Sequence, residues 1–204
     1  MTDQRNTSVA LISDAALFAI RAERASDVVA REALLEACFG ANRHTRTCQR
    51  LRDGRAPAEG LAFSVVRQGR LVGTVRLWHV SARGKPALVL GPLAVHGTCR
   101  DLGIGAALMK HALAAANARD HGAVILLGDA PYYARFGFSG GKTGELSLPG
   151  PFERDRLLGL ELREGALDGA WGMIAATGSR LPRILHKAKA SRAKKVLQAV
   201  PHAA

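Results

Sequence analysis

The chain has 204 residues, room for one domain of ordinary size plus an extension. Hydrophobic residues make up 48% and aromatics only 5%, so the expected core is aliphatic, and no run approaches the ~18 consecutive apolar residues of a membrane span. The net charge is +12, and seven of the positive charges (Arg180, Arg183, Lys187, Lys189, Arg192, Lys194, Lys195) fall in the last 25 residues without a single acid among them. The body before them holds 22 basic and 17 acidic residues and is only mildly basic.

The first residues, Met1-Thr2-Asp3-Gln4-Arg5-Asn6-Thr7-Ser8, lack the basic start and apolar centre of a secretory signal. Cys38, Cys48 and Cys99 stand at unrelated spacings that fit neither a metal site nor a disulfide framework, so the expectation is reduced thiols and a cytoplasmic protein without a metal. Residues 1–15 read as an N-terminal extension, 16–178 as the domain, and 179–204 as a basic tail.

Leu17 to Ala22 reads as a first strand. Ser26 or Asp27 is placed to cap a helix from Val28 to Phe39, which Gly40 stops, and a second, shorter helix is expected from Arg43 to Leu51. Leu61–Val66 and Leu71–Trp78 flank Arg67-Gln68-Gly69-Arg70 as a β-hairpin would. Ala87 to Val95 is a fourth strand, in which Gly91-Pro92 predicts a bulge or a break in pairing, because proline has no N–H to give to a ladder. A helix over 103–119 and a strand over 123–128 complete a β-α-β crossover. Leu146–Pro149 and Leu157–Leu162 are further strand candidates, and Trp171–Ile174 is expected to pack back on the sheet. In the tail, Leu181, Ile184, Leu185 and Ala188 followed by Val196, Leu197 and Val200 fall at helical spacing among lysines and arginines. Such a segment is either a solvated tail or a docking element for RNA or acidic lipid.

The most informative stretch is Leu93-Ala94-Val95-His96-Gly97-Thr98-Cys99-Arg100-Asp101-Leu102-Gly103-Ile104-Gly105-Ala106. It reads as a strand, a turn and a glycine-rich helix start. With no side chains at Gly103 and Gly105, the unpaired N–H groups at a helix N-terminus lie open to an anion, phosphate above all. A tight helix–sheet contact is the other reason such glycines occur. Asp101 puts a carboxylate near this turn, and an N-terminal cap with the side chain folded back on the helix amides is its expected role. A second stretch follows the next apolar run: Gly128-Asp129-Ala130-Pro131-Tyr132-Tyr133-Ala134-Arg135-Phe136-Gly137-Phe138.

Together the two stretches resemble the GNAT superfamily of N-acetyltransferases. Leu93, Val95, Arg100, Gly103 and Gly105 match its first motif, and Tyr133, Gly137 and Phe138 match its second. The run Leu90-Gly91-Pro92-Leu93-Ala94-Val95, taken with the second stretch, is similar to the YhbS-like subgroup. Gly97 replaces the family's usual proline, and Asp101 the first glycine of its phosphate loop.

The resemblance implies an α/β fold with a central twisted mixed sheet and helices on both faces, and acetyl-coenzyme A as co-substrate between splayed fourth and fifth strands. It further implies that main-chain groups of Leu93, Ala94 and Val95 pair with the pantetheine arm. The turn through Arg100, Asp101, Leu102, Gly103, Ile104, Gly105 and Ala106 would hold the pyrophosphate, and an N–H near Leu93 would polarise the thioester carbonyl. Tyr133 falls where the family commonly has the acid that protonates the departing thiolate; its alternative is aromatic packing with Tyr132, Phe136 and Phe138. No general base stands out: His79, His96, Glu59 and Asp129 remain open, as does solvent. The implied activity is acetyl transfer to a primary amine by direct attack on the thioester. Two other readings are a coenzyme-A-binding regulatory or nucleic-acid-associated module with little turnover, and acetylation of an aminoacyl-tRNA or ribosomal component.

Overall fold

A computed structural model describes residues 18–182. The sheet is built outward from one long strand. β1 (Ala19–Ala22), β2 (Ala62–Arg67), β3 (Arg70–Ala82) and β4 (Lys85–Leu90) run antiparallel in sequence order. Two-residue turns make both tight connections. Gln68 and Gly69 have φ of 50° and 74°, and Arg83 and Gly84 have 48° and 82°, the positive values that type I′ hairpins require. The first turn is the one its Gln-Gly sequence predicts. The second goes beyond the sequence reading, which ended the third strand at Trp78.

β5 (Ala94–Val95) continues the line of β4 along β3, but in a shifted register. Leu77 faces Leu90, whereas Thr74 faces Ala94, so Val75 and Arg76 oppose three residues, Gly91, Pro92 and Leu93. This is the expected bulge, with Gly91 at φ 134° and a cis bond to Pro92. β6 (Ala123–Leu127) pairs parallel with β4 at Leu88↔Val124 and Val89↔Ile125, and β8 (Leu157–Glu161) closes that side antiparallel. β7 (Leu146–Ser147) and β9 (Gly172–Met173) form a small parallel pair, and β10 (Ala175–Ala176) returns to the far end of β3.

Helices lie on both faces. α2 (Ile104–Asn117) buries Ile104, Leu108, Met109, Ala112 and Ala116 against Val65, Val75 and Leu77. At Gly73 a Cβ would stand 3.1 Å from both Ile104 and Leu108, so the missing side chain sets how closely this helix approaches. Each fully buried Leu or Ile here contributes about 1.5–3 kcal/mol. On the other face α1 (Val28–Phe39) buries Leu34 and Leu35 against Ala94, and its buried Arg31 pairs with Glu23, which also holds Arg76 of β3.

Several local expectations are corrected. Residues 41–51 form two 3-10 turns, Ala41–Thr45 and Thr47–Leu51, separated by an extended Arg46, in place of one helix. Asp27 stands at the N-cap of α1 but makes no capping bond; its carboxylate receives Arg21 at 2.7 and 2.8 Å, the Arg24 N–H at 2.8 Å and the Ser64 hydroxyl at 3.1 Å. A charged neighbour outcompetes helix amides for a carboxylate. Toward the C-terminus, Ala56 N donates to Ser179 O and Leu181 N to Gly54 O, both at 2.8 Å, so backbone bonding to the body continues through Leu181. The helical spacing expected after that point lies outside the described residues.

Candidate active site

Where β4 ends, the sheet opens. β6 runs on through Leu126 and Leu127 after its last pair with β4, while β5 stays on β3 and has no partner on its other side among the described residues. His96 N donates to Val72 O at 2.8 Å, so by strand alternation the N–H groups of Leu93 and Val95 point away from β3 into the opening. On that side the Cys38 thiol of α1 donates to Val95 O at 3.4 Å. Among the described residues nothing accepts from the Val95 N–H on that side.

Two cavities meet at this opening. The first, of about 350 Å³, runs along Leu93, Ala94 and Val95 to the start of α2, where Arg100, Gly103, Gly105 and Ala106 line it. Tyr132, Tyr133 and Arg135 form its opposite wall. Gly103 caps α2 at φ 71°, with nothing within 4 Å of where a Cβ would stand. The N–H groups of Ile104, Gly105 and Ala106 have no acceptor within the helix, and the first intrahelical bond runs from Ala107 to Gly103 O. With Arg100 and Arg135 beside them, these donors make the end of the groove electropositive.

Of the residues assigned to the cofactor groove from the sequence, all but Asp101, Leu102 and Ile104 line it. Asp101 is exposed, lies in a 3-10 turn (Gly97–Leu102), and makes no capping bond; the cap of α2 is Gly103. Leu102 and Ile104 turn their side chains into the core, so only their main chain is available to a ligand. Cys99 is likewise buried. Cys38, Phe39, Tyr132 and Arg135 join the groove without having been assigned to it. Arg135 lies over the Tyr132 ring at 4.3 Å and is held there by a 3.1 Å bond to Tyr132 O.

Tyr133 sits at the junction, lining both cavities. It belongs to α3 (Ala130–Ala134), whose N-cap Asp129 accepts from Tyr132 N at 3.1 Å. That bond accounts for the carboxylate considered as a base. Burial pushes the Tyr133 phenol up to about 12, while the charge of Arg156 works in the opposite direction. The hydroxyl is therefore protonated at every pH near neutral and is a donor. His96 is exposed and engaged with Thr98 at 2.9 Å, His79 packs near His121 with ring centroids 5.3 Å apart, and Glu59 is exposed; none of the three lines either cavity.

The second cavity, about 640 Å³, lies beyond Tyr133 and Leu93. Its walls come from Leu35 and Phe39 of α1, the 3-10 turns that replaced the expected helix, the ends of β4 and β6, and residues 151–156. Sequence periodicity gave no sign of this chamber, because irregular segments distant in the chain build most of it.

The profile of the Acetyltransferase (GNAT) domain matches residues 59–140, a span that holds β2–β6, α2 and the Tyr133 helix. Residues 59–140 thus match a GNAT acetyltransferase domain. It is 28% identical over 157 residues to the uncharacterized N-acetyltransferase YhbS of Escherichia coli strain K12, covering 76% of this chain and 93% of that protein. The crystal structure of Escherichia coli YhbS in complex with CoA superposes with a TM-score of 0.68 at 27% identity, over 78% of this chain and 89% of that one. A GNAT acetyltransferase of Brucella melitensis, solved with acetyl-CoA, shares the fold at a TM-score of 0.55 and 23% identity, over 81% of this chain and 91% of that one. Among the described residues no helix is long and apolar enough to cross a membrane.

Proposed function

We propose that this chain is an acetyl-CoA-dependent N-acetyltransferase acting on a primary amine, with Tyr133 as the general acid. The observation that carries this reading is that the two cavities share Phe39, Leu93 and Tyr133 in their walls, which supports one groove for a thioester beside one chamber for its acceptor. The groove fits coenzyme A: it offers an unpaired strand edge, open space at Gly103, free amides at α2, and two arginines. Leu93 and Val95 would hold the pantetheine arm through main-chain bonds, and the amides of 104–106 with Arg100 and Arg135 the phosphates.

When bound, the cofactor supplies an activated acetyl group. The N–H at Leu93 would stabilise charge on its carbonyl oxygen. As the amine nitrogen bonds to the acetyl carbon and the carbon–sulfur bond breaks, the Tyr133 hydroxyl gives its proton to the sulfur, and the amine's surplus proton leaves to solvent. No covalent bond to the protein forms, and holding amine and thioester in register accounts for much of the rate.

Thiol release measured against a panel of primary amines, beside a coenzyme A titration, tests this. Amine-dependent release with saturable cofactor binding is expected. Binding with no release on any amine would replace the reading with a coenzyme-A-binding module without turnover.

A further inference from the structure

The acceptor chamber has an unbalanced positive charge in its wall, at Arg52. Four arginines line the chamber, and three are engaged. Arg43 is neutralised by Glu32 at 2.7 Å and Glu36 at 3.0 Å. Arg156 stands 3.8 Å from Glu153, the one acidic side chain lining the chamber among the described residues. Arg46 is exposed and lies over the Phe39 ring at 5.1 Å.

Arg52 differs from all three. Its side chain is largely enclosed, its Nε donates to Cys48 O at 3.1 Å, and no carboxylate among the described residues lies within the 4 Å of an ion pair. Its terminal Nη1 lies 3.8 Å from where a Cβ on Gly91 would stand, at the bulge that opens the sheet and two residues from Leu93. Asp53 is next in the chain but receives Gln49 at 2.6 Å. Burial, helped by the like charges of Arg43 and Arg76, also pulls the Arg52 guanidinium below its usual range, and the charge of Asp53 offsets this only in part.

We propose that the acceptor is a small amine that also carries a carboxylate, and that Arg52 is the specificity-determining residue that receives this carboxylate. The inference rests on the acetyltransferase reading and narrows it to a substrate class. An enclosed guanidinium without an anion is costly, and a planar carboxylate satisfies its two-pronged donor face in one step. Among the described residues Arg46 also lacks a carboxylate partner, but it is exposed and screened by water, so the one enclosed unmatched charge, at Arg52, selects a monoanion over a phosphate dianion. The chamber's volume suits a small molecule. With the carboxylate at Arg52, the rest of the molecule extends toward Leu93 and Tyr133, where the amine must arrive.

The test compares the intact protein with Arg52→Gln on three sets of amines: amino acids, their carboxamides, and the matching aminophosphonates. Thiol release is read beside the melting temperature of the coenzyme-A-loaded protein with each compound. For wild type, at least one amino acid should exceed its carboxamide tenfold or more in kcat/KM, through KM, and raise the melting temperature where the carboxamide does not. Arg52→Gln should erase both differences while coenzyme A affinity stays within about twofold. Carboxamides that serve as well as amino acids, or a variant that loses both alike, would overturn the proposal; a preference for the phosphonates would overturn the monoanion assignment. Normal coenzyme A binding without thiol release on any amine defeats the acetyltransferase reading alone. In that event an amino-acid melting shift that depends on Arg52 upholds the anion site, and no shift overturns it. If Arg52→Gln unfolds, Arg52→Lys replaces it, expected to keep the charge and lose most of the preference.

Discussion

Gly128 and Tyr133 are fitted to each other: a Cβ on Gly128 would lie 2.2 Å from Cε2 of the Tyr133 ring and 2.8 Å from Cδ2. The ring therefore occupies the space that any other residue at 128 would fill. This is why a glycine ends β6 at the base of the groove, and it fixes where the phenol points.

Two substitutions separate the position of that ring from its chemistry. Tyr133→Phe keeps the ring and should lower kcat about 10²-fold with coenzyme A affinity unchanged. Gly128→Ala must push the ring aside and should lower kcat at least as far, although it leaves the hydroxyl in place. The wild-type phenol loses its proton only near pH 12. The alkaline limb of the rate profile should therefore show no fall from Tyr133 up to about pH 10, and a loss of rate centred near pH 8 would assign the acid to another group.

At Gly103 backbone strain and charge must be told apart. The residue sits at φ 71° in open space, so any side chain other than glycine costs about 1–2 kcal/mol for the left-handed conformation. Gly103→Ala and Gly103→Glu should share that loss in melting temperature. Only Gly103→Glu, by placing a carboxylate at the mouth of the free amides, should weaken coenzyme A at least tenfold, about 1.4 kcal/mol by titration calorimetry. Equal affinities for the two variants would move the phosphate site elsewhere.

Asp27 couples stability to pH. The guanidinium of Arg21 is the main reason its carboxyl ionises far below the ordinary carboxylate range, with the Arg24 N–H and the Ser64 hydroxyl assisting against the cost of burial. Its stabilisation is complete above the unfolded value of about 3.9 and fades as pH falls toward the depressed native one. Asp27→Asn should therefore cost about 2 kcal/mol in urea unfolding at pH 7, the loss of a charge-assisted pair with the half-buried Arg21, and clearly less at pH 2. An equal cost at both pH values would show that packing, not charge, is what the carboxylate supplies.

The basic C-terminal segment offers a charge test that leaves the site untouched. Backbone bonds tie Ser179 and Leu181 to Ala56 and Gly54, so a chain ending at Pro182 keeps those contacts and loses six of the seven terminal positive charges. It should retain its melting temperature within a few degrees and its turnover on a small amine. The full chain should bind RNA with an affinity that falls steeply with salt, and the shortened chain should lose most of that slope. A shortened chain that no longer melts cooperatively would make the segment part of the core.

Local chemistry made the frame of this protein readable before any coordinates. The Gln68-Gly69 turn, the stop at Gly40, the α2 pattern through Leu108 and Met109, and the interruption at Gly91-Pro92 all depend on backbone freedom or periodicity within a few residues. So did the motif residues from Leu93 to Ala106 and Tyr133, which pointed to a GNAT domain. What only the tertiary structure decided is which groups face one another. Asp101 and Asp27 both carry capping chemistry, yet neither caps an α-helix, because Gly103 takes the αL position and Arg21 claims the Asp27 carboxylate. The acceptor chamber joins Phe39, Arg52, Leu127 and Arg156, separated by up to 117 residues. Arg52 looks like any other arginine along the chain; only three-dimensional packing shows that among the described residues no carboxylate pairs with it, and that it lines the larger cavity.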